Sequence, residues 1–413
     1  MHGEASTTQR YIRRSLEPIL RRAAREFPAV ILTGPRQSGK TTLLRQRFGR
    51  SHAYVSLEPP DVREAAMADP RGFLALHPPP VIYDEVQHAP DLLPYIKEAI
   101  DTRRAERGAF LLTGSQNLQV LERASETLAG RAAVLRLLPM SRREEQGRPA
   151  QPLPWETRRV LRMAPAGGPH TLWRAFLRGN YPELVAEPRR DAALWHSSYL
   201  ATYLERDVRS LRQVGDLATF QSLLRLLAVR SGQLLSLSDL ARDLGLAVNT
   251  IKAWLFVLEA TYQIVVLRPY FANIGKRLVK TPKVYFTDVG TLCHLVRLKD
   301  PAHAASSPMS GAILETAVIA EIRKVIAGRG EEPRLHFWRT STGSEVDLLV
   351  EYEGRLIPIE VKLSTTPRPA MAAGILALRR TLRQAVHPGF VVHPGDVRLP
   401  LGDGVLALPF GEL

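Results

Sequence analysis

The chain has a single cysteine and no long apolar run, and these two features exclude several classes of protein. Cys293 alone excludes an intrachain disulfide and offers no spacing of metal-binding cysteines. The apolar stretches are short and interrupted, so no transmembrane helix is expected. The N-terminal residues lack the apolar core of a signal peptide, which favours the cytoplasm. We therefore expect a cytoplasmic globular protein without a membrane partner.

Acidic residues are in the minority, with 41 Asp and Glu against 56 Lys and Arg, a net charge of +15. A surface this basic favours polyanions, and nucleic acid is the first candidate, DNA ahead of RNA. The alternative is compositional, because lysines are few and arginines many, as in chains from GC-rich genomes. The 413 residues, 45% of them apolar, are enough for two or three domains.

A glycine-rich motif follows the apolar run 29–33 and precedes a helix-compatible run. The pattern Gly-x4-Gly-Lys-Thr in this context predicts a P-loop, which binds the phosphates of ATP. Lys40 would reach the β- and γ-phosphates, and the Thr41 hydroxyl would ligate Mg²⁺. The alternative is a strand-to-helix turn without a ligand. The predicted nucleotide-binding residues are Gly34, Pro35, Arg36, Gln37, Ser38, Gly39, Lys40, Thr41 and Thr42.

A second motif, residues 80–85, is a buried-type strand that ends in two acids, Asp84 and Glu85. This is the Walker B pattern. Asp84 would hold Mg²⁺ through water, and Glu85 would act as the general base toward the attacking water. The alternative is an ordinary strand that ends in an acidic turn.

Strand-like and helix-like runs alternate through residues 27–140, which predicts a parallel sheet covered by helices. The strands are expected at 29–33, 53–57, 81–84, 109–113 and 133–138, with helices around 41–48, 61–68, 91–104 and 116–128. The run 53–57 lies between the two nucleotide motifs along the chain. This order favours the additional-strand class of P-loop ATPases, to which the AAA proteins belong.

Two further catalytic candidates lie in this region. In such folds the strand 109–113 adjoins the P-loop strand, so Thr113, Ser115 or Asn117 would sense phosphate or align water. The alternative for Ser115 or Asn117 is a helix cap. Arg131 is the candidate arginine finger, which would act on a neighbouring subunit of a homo-oligomer, with Arg123 second. A plain surface arginine is the alternative.

The rest of the chain divides by pattern. Residues 1–26 read as an amphipathic helix with a basic face that includes Arg13 and Arg14. Residues 141–170 read as a linker and 171–232 as a helical segment. Residues 233–270 give helix, glycine turn, helix and strand, which predicts a winged helix-turn-helix with Asn249, Thr250 and Lys252 as modest base contacts. Residues 271–311 read as a connector.

Residues 312–413 predict a third α/β unit with the element order of restriction-endonuclease-like, or PD-(D/E)xK, folds. There Asp347 and Glu360 would hold a divalent metal. Lys362 shares a strand face with Glu360 and would orient the nucleophilic water, and Glu315 would be the helical acid. The alternative is a structural pairing of carboxylate and lysine on an exposed strand.

The three units in this order resemble a prokaryotic family of AAA-type ATPases whose C-terminal half is a domain of unknown function. The resemblance covers most of the chain and implies Mg-ATP binding at Gly34–Thr42, with Asp84 and Glu85 as the Walker B acids. It implies no defined biological substrate. The segments that carry it are residues 32–42, 82–87, 112–116, 128–131, 203–208 and 282–290.

These patterns predict a Mg-dependent ATPase that gates a nucleic-acid-contacting C-terminal half. Two rivals remain open at this point. One is a DNA-binding switch that turns ATP over slowly and carries an inactive nuclease fold. The other is an ATP-regulated metal nuclease.

Overall fold

The computed structural model describes residues 11–114, 127–157, 168–203, 208, 216–270, 280–382, 386 and 388–413. In this part the helices are α1 Glu17–Glu26, α2 Lys40–Phe48, α3 Pro60–Ala68, α4 Pro70–Leu76, α5 Leu92–Thr102, α6 Arg142–Glu145, α7 Gly168–Arg178, α8 Pro182–Ala186, α9 Ala192–Tyr203, α10 Leu217–Val229, α11 Leu237–Leu244, α12 Val248–Ala260, α13 Val289–Leu295, α14 Pro301–Ser306, α15 Ser310–Ala327 and α16 Ala373–Thr381. The strands are β1 Ala29–Thr33, β2 Ala53–Ser56, β3 Val81–Asp84, β4 Phe110–Gly114, β5 Ala132–Arg136, β6 Ile264–Pro269, β7 Lys283–Phe286, β8 Leu335–Arg339, β9 Glu345–Tyr352, β10 Arg355–Val361, β11 Gly389–His393, β12 Leu399–Gly402 and β13 Val405–Pro409. Within these ranges, no helix is both long and apolar enough to cross a membrane.

The chain forms two compact units. Unit one contains the described residues of Met1–Gln151, Asn180–Arg190 and Ala327–Gly330. Unit two contains those of Pro152–Gly179, Asp191–Ile326 and Glu331–Leu413.

Unit one is built on a parallel five-stranded sheet with the strand order β2-β3-β4-β1-β5. Helices connect β1 to β2, β2 to β3 and β3 to β4, because a parallel pairing needs a crossover. β4 pairs with both β1 and β3, which confirms that the strand after the Walker B motif adjoins the P-loop strand. The strand β2, which separates the two motifs along the chain, lies at the sheet edge beyond β3.

Both faces of the central strands β1, β3 and β4 are buried, as is usual for a parallel sheet. Along β1, Ala29 and Ile31 belong to one core cluster, and Val30 and Leu32 belong to another. Side chains alternate along a strand, so this one short segment contributes to two cores. The second cluster includes Leu20 of α1, so the predicted amphipathic helix is present over Glu17–Glu26 and covers the sheet.

Unit two is built on a mixed eight-stranded sheet with the order β12-β13-β11-β10-β9-β8-β6-β7. β9 and β10 form the predicted hairpin, in which Ile357 lies opposite Val350. Ile357 packs in the core cluster that contains the apolar residues of α15, and Leu356 packs in the cluster that contains those of α16. The hairpin therefore lies between two helices.

The strand expected to complete a winged helix belongs to this same sheet. β6 pairs antiparallel with β7 and parallel with β8. The boundaries expected at 270 and 311 therefore fall inside one compact unit. The sequence did not indicate this pairing, because the hydrophobic periodicity of a strand does not reveal which distant strand it pairs with.

α11 and α12 form the predicted helix, glycine turn and helix. The Ser236 side chain accepts a hydrogen bond from the Asp239 N–H and caps α11. Gly245 ends that helix with φ of 65°, a conformation that favours glycine, and the Leu246 N–H donates to the Ala241 carbonyl. The next helix buries Ile251, Trp254, Leu255 and Leu258.

The described part of the segment expected as a linker is partly helical and packed. Ser141 and Glu144 form a capping box at the start of α6. Leu153 and Trp155 are buried in the core of unit two. The sequence indicated a linker, because the segment is rich in arginine, proline, glycine and glutamine and lacks periodicity.

Candidate functional site

The residues between β1 and α2 form the tightly bent loop that the motif predicts. Gly34 and Gly39 have φ values of 147° and 90°, which other residues rarely adopt. A Cβ on Gly34 would lie 2.1 Å from the carbonyl oxygen of Leu137. Gln37 also has a positive φ, 58°, although it carries a side chain. The loop thus needs glycine at Gly34 for conformation and for space, and it stores strain at Gln37.

Lys40 is the first residue of α2, directly after the loop. Its Nζ donates to the carbonyl oxygens of Gly34, at 3.0 Å, and Pro35, at 2.9 Å. The first N–H groups of a helix have no partner within the helix, and the helix dipole is positive at this end. The loop therefore presents a cation and a helix N-terminus together, the arrangement that binds phosphate.

Thr41 faces the end of β3. Its Oγ1 lies 2.9 and 3.0 Å from the two carboxylate oxygens of Asp84. Hydroxyl and carboxylate oxygens are the ligands that Mg²⁺ accepts in nucleotide sites. The residue types and their spacing therefore fit the divalent cation that accompanies a nucleoside triphosphate.

Asp84 has two more hydroxyl neighbours. Thr113 Oγ1 donates to Asp84 Oδ1 at 2.5 Å and accepts the Glu85 N–H at 2.9 Å. The Tyr54 hydroxyl donates to Asp84 Oδ2 at 2.8 Å, and burial together with this hydrogen bond raises the pKa of Tyr54 to about 12. Thr113 was among the predicted strand-tip residues, whereas Tyr54 was not predicted. Neutral donors thus orient Asp84 and leave its negative charge uncancelled.

Glu85 follows Asp84 with φ of 59°, in the left-handed region that non-glycine residues seldom occupy. Its carboxylate is hydrogen-bonded by the Gln87 amide. Glu85 lines the same cavity as Lys40 and Thr41. The unusual backbone conformation is thus found at the residue that the Walker B pattern assigns as the base.

That cavity has a volume of about 430 Å³ and adjoins the loop. Sequence reasoning missed part of its lining, because the residues come from segments far apart along the chain. They are largely apolar or aromatic, which suits the base of a nucleotide. The apolar and aromatic ones include Tyr11, Ile12, Met140 and Pro182, and the cavity is also lined by the charged Glu183.

Arg14 supports the loop and was also missed as a site residue. Its guanidinium donates to the carbonyl oxygens of Ser38, at 2.8 Å, and Leu138, at 2.6 Å. It also forms an ion pair with Glu144 at 3.2 Å, and both side chains are only 5% exposed. Arg14 is therefore buried although the pattern assigned it to a basic face, and three acceptors compensate its lost hydration.

Arg131 is not brought to the phosphate site of its own chain. It precedes β5 at the edge where the parallel strands begin, while the P-loop follows their carboxyl ends. Its guanidinium makes a two-point contact with Asp101, at 2.7 and 3.1 Å, and this contact lowers the pKa of Asp101. Ser115, Asn117 and Arg123 lie outside the described residues.

The predicted acids of unit two lie near one another, together with a lysine that was not predicted. Lys283 Nζ lies 3.0 Å from Glu315 Oε1 and 2.6 Å from Glu345 Oε1. Tyr285, two residues further along β7, donates its hydroxyl to the same Glu315 oxygen. Asp347 Oδ2 accepts the Val361 N–H at 2.8 Å.

Lys362 Nζ lies 2.5 Å from Glu360 Oε1, which confirms that these two residues share one side of the hairpin. We call the group Lys283, Tyr285, Glu315, Glu345, Asp347, Glu360 and Lys362 the acidic cluster. The acidic cluster opens onto a cavity of about 520 Å³. The predicted residues are thus brought together. Glu315 pairs with Lys283 and Glu360 pairs with Lys362, whereas Asp347 accepts a backbone N–H.

Burial dominates the electrostatics of the acidic cluster. It raises the pKa of Glu315 to about 7 and that of Glu360 to about 8, and repulsion from Asp347 acts in the same direction. The pKa of Asp347 is raised as well, mainly by burial. Lys283 and Lys362 oppose these shifts by stabilising the charged carboxylates. Among the described residues, no group of three or more His, Cys, Asp or Glu side chains is placed to hold a metal ion.

Three protein families match the chain. Residues 26–145 match an AAA domain, which confirms the predicted P-loop ATPase domain. Residues 169–302 match a domain of unknown function (DUF8612), and residues 310–413 match another (DUF4143). The last two matches assign neither a winged helix nor a nuclease.

Two curated proteins are similar over almost the whole chain. They are the uncharacterized protein Rv2008c of Mycobacterium tuberculosis and the uncharacterized protein Mb2031c of Mycobacterium bovis, each 32% identical over 403 residues, which cover 97% of this chain and 84% of theirs. Among solved structures, the Walker-type ATPase PABY2304 of Pyrococcus abyssi covers 71% of this chain and 98% of its own, at 16% identity and a TM-score of 0.45. At that score the structural likeness carries no argument.

Proposed function

The chain belongs to the family of the uncharacterized mycobacterial proteins Rv2008c and Mb2031c, and we propose that its AAA domain binds and hydrolyses ATP with Mg²⁺. The observation that carries this proposal is the contact of Thr41 with Asp84 beside a cavity that Lys40 and Glu85 also line. When bound, Mg²⁺ would neutralise charge on the phosphates.

Each residue of the phosphate site then has one task. The ammonium of Lys40 leaves the carbonyls of Gly34 and Pro35 for phosphate oxygens, which carry full charge. Glu85 accepts the proton of the attacking water. Thr113, through its hydrogen bonds to Asp84 Oδ1 and the Glu85 N–H, fixes the two acids relative to each other.

Lys40→Ala tests the proposal. The variant should lose ATP turnover, followed as phosphate release with Mg²⁺ present, because the site then lacks its only described phosphate-facing lysine. Lys299→Ala, on an exposed position of unit two, is the matched control and should keep full turnover. Full turnover in Lys40→Ala would contradict the proposal.

We further propose that unit two contacts DNA through α12. Asn249 and Lys252 are exposed near the start of this helix, while Ile251 and Trp254 anchor its other side in the core. A helix held in this way in a winged helix-turn-helix enters the major groove. The net charge of +15 favours the same class of partner.

Salt-dependent binding tests this second proposal. The affinity for duplex DNA, measured by fluorescence anisotropy, should fall steeply as salt rises, because phosphate contacts release counterions. Lys252→Ala should reduce both the affinity and the salt slope, while Lys299→Ala serves as the control. A tighter and equally salt-dependent binding to RNA would contradict the preference for DNA.

ATP gating of DNA binding follows if both proposals hold. Glu85→Gln should retain ATP without hydrolysing it, so its DNA affinity with ATP should differ from its affinity with ADP. Equal affinities would separate the two activities and contradict gating.

The finger role of Arg131 is a proposal of the same kind. It requires a homo-oligomer and release of the guanidinium from Asp101. Specific ATPase activity should then rise with protein concentration, and Arg131→Ala should remove that rise. Constant specific activity at all concentrations would contradict an arginine finger.

A further inference from the structure

Lys283 lies at the centre of the acidic cluster rather than at its edge. Its side chain is 4% exposed, and Nζ contacts carboxylates from α15 and β9 at 3.0 and 2.6 Å. The Phe337 ring lies 5.5 Å from Nζ. An ammonium has three donors, and two of them are used by acids here. The lysine is therefore a buried cation that two separate elements hold in place.

The positive charges are distributed so that three of the acids have a cation of their own. Lys283 forms ion pairs with Glu315 and Glu345, and Lys362 forms an ion pair with Glu360. Arg339 contacts the second oxygen of Glu345 at 3.0 Å. Asp347 lies close enough to Lys283 and Lys362 for both to stabilise its charge.

A divalent metal ion needs carboxylate oxygens in direct contact, at about 2.0–2.6 Å. An ammonium between two of these carboxylates competes for the same oxygens and repels the metal ion. We propose that Lys283 is the permanent counter-ion of the acidic cluster and takes the place of the divalent metal that a nuclease would hold. Unit two would then contact nucleic acid without metal-dependent cleavage.

The segment 282–290, one of those that carry the family resemblance, supports this assignment. Lys283 and Tyr285 are two residues apart on β7, so they project from the same face. Both donate to Glu315 Oε1. Because β7 supplies both a cation and a hydroxyl donor to one buried acid, we take the cluster to be organised around Lys283.

One carboxylate oxygen of the acidic cluster differs from the rest. Glu360 Oε2 is buried and has no hydrogen-bond partner among the described residues. An oxygen of this kind is what a metal site without its metal would show. The experiment must therefore measure whether Asp347 and Glu360 bind a metal ion.

Mn²⁺ titration of the nucleotide-free full chain, followed by electron paramagnetic resonance of free Mn²⁺, answers this question. Wild type and Asp347→Asn should bind equal numbers of Mn²⁺ ions up to about 1 mM, the weak end of biological carboxylate sites. Lys283→Met should gain one ion, and adding Asp347→Asn should remove it. Lys299→Met, which changes an exposed lysine, should match wild type.

An extra Mn²⁺ in wild type that disappears in both Asp347→Asn and Glu360→Gln would overturn the proposal. So would a folded Lys283→Met protein that gains no ion. If Lys283→Met does not fold, the comparison of wild type with Asp347→Asn still decides. Neither result depends on ATP turnover, so the proposed function of unit one is tested separately.

Discussion

The phosphate site and the acidic cluster contain the same kinds of side chain, a lysine, a tyrosine and buried carboxylates, but arrange them differently. Around Asp84 the contacts come from the neutral hydroxyls of Thr41, Tyr54 and Thr113. In the cluster the carboxylates are met by ammonium groups. The charge of Asp84 remains available to a cation from solution, whereas most of the charge of the cluster is already balanced.

The two lysines differ in the same way. Lys40 is held by two backbone carbonyls, which are dipoles and compete weakly with phosphate. Lys283 is held by two carboxylates in a buried setting, where an ion pair is hard to separate. The two lysines thus differ in their neighbours rather than in residue type.

ATP turnover should distinguish the two sites most strongly. Asp84→Asn should reduce Mg-dependent ATP turnover by about 10³-fold, because the site loses the negative charge that Mg²⁺ requires. Asp347→Asn should leave turnover within about twofold of wild type, since it touches no phosphate-site residue. Steady-state phosphate release measures both. The exposed Asp61→Asn on α3 is the control. An equal loss in both variants would abolish the distinction.

The next effect is on stability. Lys283→Met should lower the free energy of unfolding of unit two by about 3 kcal/mol or more, because it leaves buried carboxylates without their cation. All five tryptophans lie in unit two, so their fluorescence during urea unfolding reports this unit. Lys299→Met, at an exposed position, should cost less than about 0.5 kcal/mol. A cost that small for Lys283→Met as well would show that the pairing is superficial.

The sequence predicts the phosphate site well because its main parts are local. The motif Gly34–Thr41 carries its own strand, turn and helix, and Asp84 ends a strand with a clear apolar pattern. The supporting contacts could not be predicted. Arg14 and Tyr54 reach the site from segments whose periodicity indicates only a helix and a strand.

The acidic cluster shows the same limit more strongly. The sequence predicts Glu315, Asp347, Glu360 and Lys362 from element order, and the structure brings them into one cluster. It does not predict Lys283, because β7 joins the sheet only through β6, and no local pattern encodes that pairing. The residue that decides how the cluster works is therefore the one contributed by the most distant segment.

Two matched tyrosine substitutions test the hydroxyl contacts of the two sites. Tyr54→Phe removes a hydrogen bond to Asp84 and should raise the Mg²⁺ concentration for half-maximal turnover about fivefold, the equivalent of about 1 kcal/mol. Tyr285→Phe removes the corresponding bond to Glu315 and should cost about 1 kcal/mol of unit-two stability while turnover stays unchanged. A loss of turnover in Tyr285→Phe would show that the cluster influences the phosphate site.

The stability of unit two should also depend on pH. The pKa values of Glu315 and Glu360 are raised to about 7 and about 8, so between about pH 5 and 8 the folded unit binds more protons than the unfolded chain. Its free energy of unfolding should therefore fall as pH rises through this window. The decrease should be on the order of a few kcal/mol, because a difference of one in pKa between the folded and unfolded states corresponds to about 1.4 kcal/mol.

Tryptophan-detected unfolding at pH 5.5, 7 and 8.5 measures this slope. Glu315→Gln should flatten it, while Glu331→Gln, at an exposed position, should not. In Lys283→Met the slope should be steeper, because the carboxylates that charge at high pH no longer face an ammonium. If the slope is the same with and without Lys283, the cluster is not organised around that lysine. The distinction between the acidic cluster and the site of Asp84 would then fail.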